Sequence, residues 1–252
     1  MNIDFLKVDL KRAFFNKMLW FSVIILTLIL FNGMITYTDM NHSAGISTYV
    51  YIVNAMALSG FGPFAAVFPA LGYSVRFCEE YTSGYFNMIV SRTNWKKYAC
   101  VRLVSVGLSG GIVVGIPFAC VCIVGYIIGI HGVPQDGFLS GLQVVEYIEK
   151  YGDLFVLAFK ILLGFLFGML FSIVSFAFAV WSCNRYVTVI APFVLYETMW
   201  VVLYKFPAFN PIYLVRGDDL NSYPLSALMQ FIYIILSVII CWVGLRKRVE
   251  NE

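Results

Sequence analysis

The sequence predicts an all-α integral membrane protein, and three observations carry that expectation. First, 61% of the 252 residues are hydrophobic and only 12% are charged, with a mean hydropathy of +0.84. A soluble domain of this length needs far more polar surface to cover its core. Second, six runs are apolar and long enough to cross a hydrocarbon core, which takes roughly 20 helical residues. They are 18–37, 51–75, 101–130, 154–180, 186–203 and 225–245. They are continuous, whereas a lipid-facing barrel alternates in strands of about ten residues. Third, the charges are segregated. Lys7, Lys11, Arg12 and Lys17 precede the first run, and Arg76, Arg92, Lys96, Lys97 and Arg102 separate the second from the third. Arg185 follows the fourth run, and Arg246, Lys247 and Arg248 follow the sixth. The opposite loops hold Asp39, Asp136, Glu146, Glu149, Asp153, Asp218 and Asp219, against Lys150, Lys205 and Arg216. Basic residues stay on the cytoplasmic side, so both termini are expected inside the cell.

Along the chain, Ile3, Leu6, Leu10 and Phe14 recur at helical spacing beside Lys7 and Lys11. This pattern suits an N-terminal helix in the inner interface, with a disordered charged tail as the alternative. The first run lacks a small-x-small cleavage site and is read as a retained span. Pro63 and Pro69 in the second run and Pro192 in the fifth remove backbone donors, so those helices are expected to kink or unwind. Gly107, Gly111 and Gly115, then Gly164 and Gly168, stand at close-packing spacing. They serve either packing within the chain or a dimer face. The 131–153 loop is polar and acidic. In 204–224, Pro207 and Pro211 precede the short apolar run 212–215, read as a re-entrant piece in the outer leaflet or an exposed loop. Cys78, Cys100, Cys120, Cys122, Cys183 and Cys241 lie in spans or on the cytoplasmic side, which implies no disulfide framework. No repeat or linker interrupts the chain, so residues 1–252 read as one domain.

Chemistry-bearing motifs are sparse. No G-x-x-x-x-G-K-[ST] run occurs. Gly60, Gly62 and Ala65 match a dinucleotide pattern, but inside an apolar run with no preceding strand. His42 and His131 have no helical i, i+4 partner, which argues against a metal site or a hydrolase. The chain therefore reads as non-catalytic, with no cofactor or metal and no nucleic-acid partner. Lys160 and Glu197 stand inside expected spans, where a charge costs roughly 2.5–3.5 kcal/mol. Counting residues from the outer ends places both about 10 Å deep. They are expected either to pair with each other or to line a substrate path.

The segment 76–97 is the polar exception in an oily chain. Tyr81, Tyr85, Met88 and Ile89 fall on one helical face, with Glu79 and Glu80 at the start and Arg92 at the end. A single amphipathic helix over 79–91 is expected, parallel to the membrane and open to a soluble partner.

The run Glu80-Tyr-Thr-Ser-Gly84, followed by Ser91-Arg92 and Lys96, resembles the cytoplasmic loop of the ABC-2 type transporter permeases. In that family an acid, a glycine four residues on and a Ser/Thr-Arg-Pro-x-x-Arg run form a coupling helix docked on an ATPase. Thr93 stands where the family commonly has proline, and Lys96 where it has arginine. The resemblance extends over the chain: an interfacial N-terminal helix, six spans, inside termini and a Phe-Asn210-Pro211-Ile-Tyr213-Leu re-entrant piece. It implies a permease half in the bacterial cell membrane, surrounded by lipid and paired with a second, identical or related half. Two separate ATPase copies would drive it. Glu79, Glu80, Tyr81, Gly84, Tyr85, Met88, Ile89, Ser91 and Arg92 would then form the coupling surface, with Glu80 as a rim charge. The family exports lipids, peptides, drugs or polysaccharides, and compact members resemble antimicrobial-peptide immunity and peptide-export systems. The competing class is a six-span substrate-capture module, such as the vitamin-binding subunit of energy-coupling-factor importers, which needs no charged coupling helix.

The charge segregation yields a direct test. In a background without native cysteines, single cysteines across 135–151 should react with an impermeant reagent outside intact cells. Cysteines across 80–94 should react only after permeabilisation. Outside labelling at position 84 would reverse the orientation.

Overall fold

Residues 3–40, 47–132, 143–216 and 222–250 are described by the computed structural model, and every regular element among them is a helix. In chain order these are α1 (Ile3–Phe14), α2 (Lys17–Met40), α3 (Thr48–Leu58), α4 (Phe61–Phe64), α5 (Val67–Leu71), α6 (Arg76–Thr82) and α7 (Tyr85–Arg92). Then come α8 (Trp95–Ile128), α9 (Gln143–Tyr151), α10 (Asp153–Ser182), α11 (Arg185–Val202), α12 (Pro211–Arg216) and α13 (Tyr223–Glu250). His42, Asp136, Asp218 and Asp219 lie outside the described residues.

Four helices, α2, α8, α10 and α13, are long and apolar enough to cross a membrane. They answer to the first, third, fourth and sixth expected spans. The second expected span is broken: α3 and the helical stretch from Phe61 to Thr82 meet at 63°. Gly60 sits at that break with φ +70°, a left-handed conformation that a side chain would resist. Pro63 and Pro69 follow within two short helices, as a missing N–H dictates. The fifth expected span is one helix, α11, of 18 residues around Pro192. At about 27 Å it falls just short of a hydrocarbon core of about 30 Å.

The surface supports a bilayer setting. Phe21, Ile24 and Leu28 on α2 and Leu228, Phe231 and Ile235 on α13 are exposed, while Ser74, Ser105, Ser109, Ser172 and Ser175 are buried. Four of these hydroxyls are used internally: Ser74 and Ser175 share a 2.7 Å hydrogen bond, and Ser109 Oγ and Ser172 Oγ donate to the Val106 carbonyl at 2.8 and 2.9 Å. Apolar outside and small polar groups inside is how helices pack where lipid is the solvent.

The centre of the bundle is the antiparallel pair α8–α10. Gly107 lies against Met169 and Ile173, Gly110 against Gly168 and Ser172, Gly111 against Phe165, and Gly164 against Phe118. The glycine spacing thus serves packing within the chain. At the Gly110–Gly168 crossing a Cβ on either residue would collide with the other's carbonyl oxygen. At Gly107 the nearest obstacle is the flexible Met169 side chain at 3.1 Å.

One end of the bundle gathers α1, α6, α7, the starts of α2, α8 and α11 and the ends of α10 and α13; its bases make it the basic end. At the other end the acidic loop contains a helix the sequence reading did not anticipate. In α9, Val144 and Ile148 are buried against Val156, Leu163 and Tyr223. The 212–215 run forms α12, with Ile212, Leu214 and Val215 buried. Asn210 fixes its start by donating to the Trp200 carbonyl at 3.1 Å and accepting from Ile212 N at 3.2 Å. Gln230 Nε2 donates to the Leu214 carbonyl at 2.9 Å.

The glycine crossing generates an ordering of variants. Gly168→Ala should cost on the order of 2 kcal/mol or more, because rigid backbone must move apart. Gly107→Ala should cost under about 1 kcal/mol, because Met169 yields. Thermal unfolding in detergent measures both; equal losses would mean that the helices are not in backbone contact at Gly110–Gly168.

Candidate functional site

The polar segment forms two helices rather than the single helix expected over 79–91. Gly84 interrupts it with φ +71°, ending α6 and turning the chain into α7. The amphipathic pattern across the break is real, but a left-handed residue cannot lie inside an α-helix, so the stripe is folded at its middle. Thr93 then closes α7: its N–H donates to the Ile89 carbonyl at 2.8 Å with φ −124°. Proline, common at this place in the resembling family, has neither that N–H nor that φ. Asn94 caps α8 by accepting from Lys96 N at 3.1 Å. That cap starts α8 at Trp95, six residues before the expected span at 101, and the added residues include Tyr98, one turn before Arg102.

Arg102 is the pivot. It is only 1% exposed, deep in the basic end. Its Nη1 donates to Asp9 Oδ1 of α1 at 2.9 Å and to the Tyr73 hydroxyl at 2.6 Å. Tyr73 donates in turn to Asp9 Oδ1 at 2.6 Å, and the guanidinium lies 4.3 Å over the Tyr73 ring. Nη2 approaches Glu80 Oε2 at 2.8 Å but off the N–H axis, so this contact is an ion pair rather than a hydrogen bond. Tyr98 donates to the same carboxylate oxygen at 3.2 Å. Two carboxylates thus face one guanidinium, with two phenol hydroxyls as donors. A buried ion of this kind is tolerated only when such partners surround it.

Three further arginines grip the same segment from other elements. Arg185, opening α11, pairs with Glu79 at 3.4 Å; both side chains are about half exposed, so the pair is worth little. Arg248 near the end of α13 donates from Nη1 to the Tyr81 hydroxyl at 3.2 Å, and from Nε and Nη2 to the Val180 and Trp181 carbonyls that end α10. Arg12 of α1 donates to the Tyr85 hydroxyl at 3.3 Å, and that hydrogen bond raises its pKa above the usual guanidinium value. Glu79, Glu80, Tyr81 and Tyr85 are therefore each held by an arginine from a different helix: α11, α8, α13 and α1. Below them Phe77, Phe86 and Tyr98 pack edge to face, with centroids 5.6 and 5.3 Å apart.

The remaining expected residues divide by exposure. Ile89 packs against the core, whereas Met88 is 63% exposed. Ser91 and Arg92 are exposed beside Met88, with Ser91 Oγ donating to the Met88 carbonyl at 3.0 Å. Glu80 is the clear correction. It is not a rim charge open to a partner; its side chain is 13% exposed and faces Arg102. The sequence reading missed Asp9, Tyr73 and Tyr98, and placed Arg102 in a loop. The available hints were an acid, Asp9, set between Lys7 and Lys11, and a base at the second position of an apolar run.

The expected Lys160–Glu197 pair does not form. Lys160 is fully buried, donates to the Arg216 carbonyl at 2.6 Å and stands 5.4 Å over the Tyr49 ring. Tyr196 is the residue of α11 that faces α10, with its ring centroid 5.9 and 5.4 Å from those of Phe167 and Phe171. Glu197, one residue on, is rotated about 100° from that face. Counting residues along two helices gives no azimuth, and without a shared face the two charges do not meet. Glu197 Oε1 is buried with no hydrogen-bond partner among the described residues.

Among the described residues no group of three or more His, Cys, Asp or Glu side chains is arranged to hold a metal ion. The site is a two-helix platform bound on its inner face, with Met88, Ser91 and Arg92 exposed on its outer face.

Removing the pivot should be costly. Arg102→Met leaves two carboxylates buried without their cation, which should cost roughly 3–5 kcal/mol. The triple change Arg102→Met, Asp9→Asn, Glu80→Gln should recover much of that loss. Thermal unfolding in detergent reads both; a triple variant no more stable than Arg102→Met alone would mean that the charges are not coupled.

No protein-family model, curated protein or solved structure matches this chain.

Proposed function

We propose that this chain is the membrane-spanning permease subunit of an ABC-2 type exporter, driven by a separate ATPase. The observation that carries the reading is the convergence of four arginines, from α1, α8, α11 and α13, on the segment Glu79–Tyr85. A platform held this way moves only if several helices move with it. That is what a subunit without its own nucleotide site needs in order to receive work from a soluble motor. The reading places the basic end and both termini in the cytoplasm of a bacterial cell. It takes the bent α3–α6 stretch and α11 as the second and fifth of six passes, and α12 as a re-entrant piece in the outer leaflet. Two ATPase copies would dock on two permease halves, identical or related.

On this reading the coupling surface is narrower than the sequence suggested. Glu80, Tyr81 and Ile89 face inward and transmit. Met88, Ser91 and Arg92, exposed on the outer side of α7, make the contact. The cargo is a hydrophobic or amphipathic molecule such as a peptide, lipid or drug, moved outward. Glu197, with a buried and unpartnered oxygen, is the residue for a cationic group on that cargo.

The test is to look for an ATPase gene adjacent to this one and to co-express its product with the permease. The two should co-purify, and permease should stimulate ATP hydrolysis. Met88→Glu with Arg92→Glu should reduce that stimulation about tenfold by weakening association, and leave thermal stability unchanged. Full stimulation by the double variant, or no ATPase bound to the wild-type chain, would remove the coupling role.

A further inference from the structure

We infer that the basic end carries a binding site for the anionic headgroup of a membrane phospholipid. A cleft of about 520 Å³ opens there between the start of α2, the α5–α6 turn and the first turns of α11. Its composition is amphipathic in a particular order. Arg76, Glu79 and Arg185 are its charged residues, while Met18, Val189 and Ile190 supply apolar wall. Arg76 is exposed, and its side chain has no ion pair or hydrogen bond among the described residues. Arg185 is engaged only by the loose 3.4 Å contact with Glu79. It also opens α11, whose N-terminal end adds partial positive charge. The cleft therefore keeps a net positive charge directed at whatever enters.

Depth selects the ligand. Lys17 and Arg185 begin α2 and α11, so the charged groups lie where these helices emerge from the apolar layer. Tyr186, 80% exposed beside the cleft, is the kind of residue that sits at headgroup level. A phosphate between Arg76 and Arg185 would carry its glycerol and first methylenes down over Met18, Val189 and Ile190. Basic pockets between helices at a membrane surface recognise acidic lipids on these terms. The site depends on a lipid surface at the basic end and not on an ATPase, so it stands or falls apart from the transport reading.

The experiment uses the full chain, delipidated in a neutral detergent, with thermal unfolding followed during lipid titration. Phosphatidylglycerol should raise the unfolding temperature saturably; phosphatidylcholine with the same chains should not. Arg76→Gln with Arg185→Gln should raise the half-saturating phosphatidylglycerol concentration roughly tenfold or more. Lys247→Gln, a base at the same end but stacked 5.1 Å from Trp181 outside the cleft, should leave it within about twofold. If the double arginine variant does not fold, Ile190→Trp, which fills the apolar wall, should weaken binding with both charges in place. Equal stabilisation by phosphatidylcholine would overturn the proposal, as would wild-type binding by the variants. Soluble glycerol 3-phosphate reproducing the full shift would also do so, by showing a free-anion site rather than a lipid site.

Discussion

Burying the guanidinium of Arg102 is the constraint from which the basic end is built. A charge 1% exposed inside an apolar bundle carries a desolvation penalty of several kcal/mol unless its hydrogen-bonding capacity is used. Asp9 and Tyr73 accept its hydrogen bonds, Glu80 pairs with its charge and Tyr98 donates to Glu80; the four come from α1, the α5–α6 turn, α6 and α8. Satisfying one ion therefore fixes the relative positions of three helices and a turn. The N-terminal helix is held by this means: its apolar stripe suits an interface, but Asp9 and Ala13 are what it buries.

The cluster has two acids for one base, so it is held by balance rather than by surplus. Tyr73 and Tyr98 supply hydroxyl donors to the extra negative charge, while Asp9 Oδ2 remains buried without a hydrogen bond. Such networks specify one arrangement strongly, because any displacement leaves a charge unpaired in a low dielectric. The contacts at the edges differ. The half-exposed Glu79–Arg185 pair and the 3.3 Å Arg12–Tyr85 bond are weak enough to exchange. The site is thus tightly fixed at Arg102 and more loosely held at its edges.

The class of fold was legible because lipid as solvent leaves a coarse signature. Four long apolar helices lie where continuous apolar runs lie, and a Gly60–Pro63–Pro69 sequence breaks a fifth. The short α9 escaped notice because its polar residues dominate a composition reading, although Val144 and Ile148 are buried and Val145 and Tyr147 pack beside them. At the candidate site, periodicity found a helical segment and misjudged its continuity, since Gly84 reads equally as helix filler or as helix end. It also misjudged which side faced out. Glu80 looked like a free acid because its partner Arg102 is distant in sequence and seemed to belong to a loop. The Lys160–Glu197 expectation failed for a related reason: sequence supplies depth along a helix, but azimuth depends on packing such as Tyr196 against Phe167 and Phe171.

If Arg102 is the anchor of the whole basic end, its removal must loosen elements far from it in sequence. Hydrogen–deuterium exchange of the full chain in detergent, with wild type compared to Arg102→Met, reads this directly, because exchange reports local opening segment by segment. Protection should fall together across Ile3–Phe14, Arg76–Thr82 and Tyr85–Arg92, while the α8–α10 core keeps its own. A loss confined to the first turns of α8, with α1, α6 and α7 unchanged, would contradict the anchor and leave those helices held by something else.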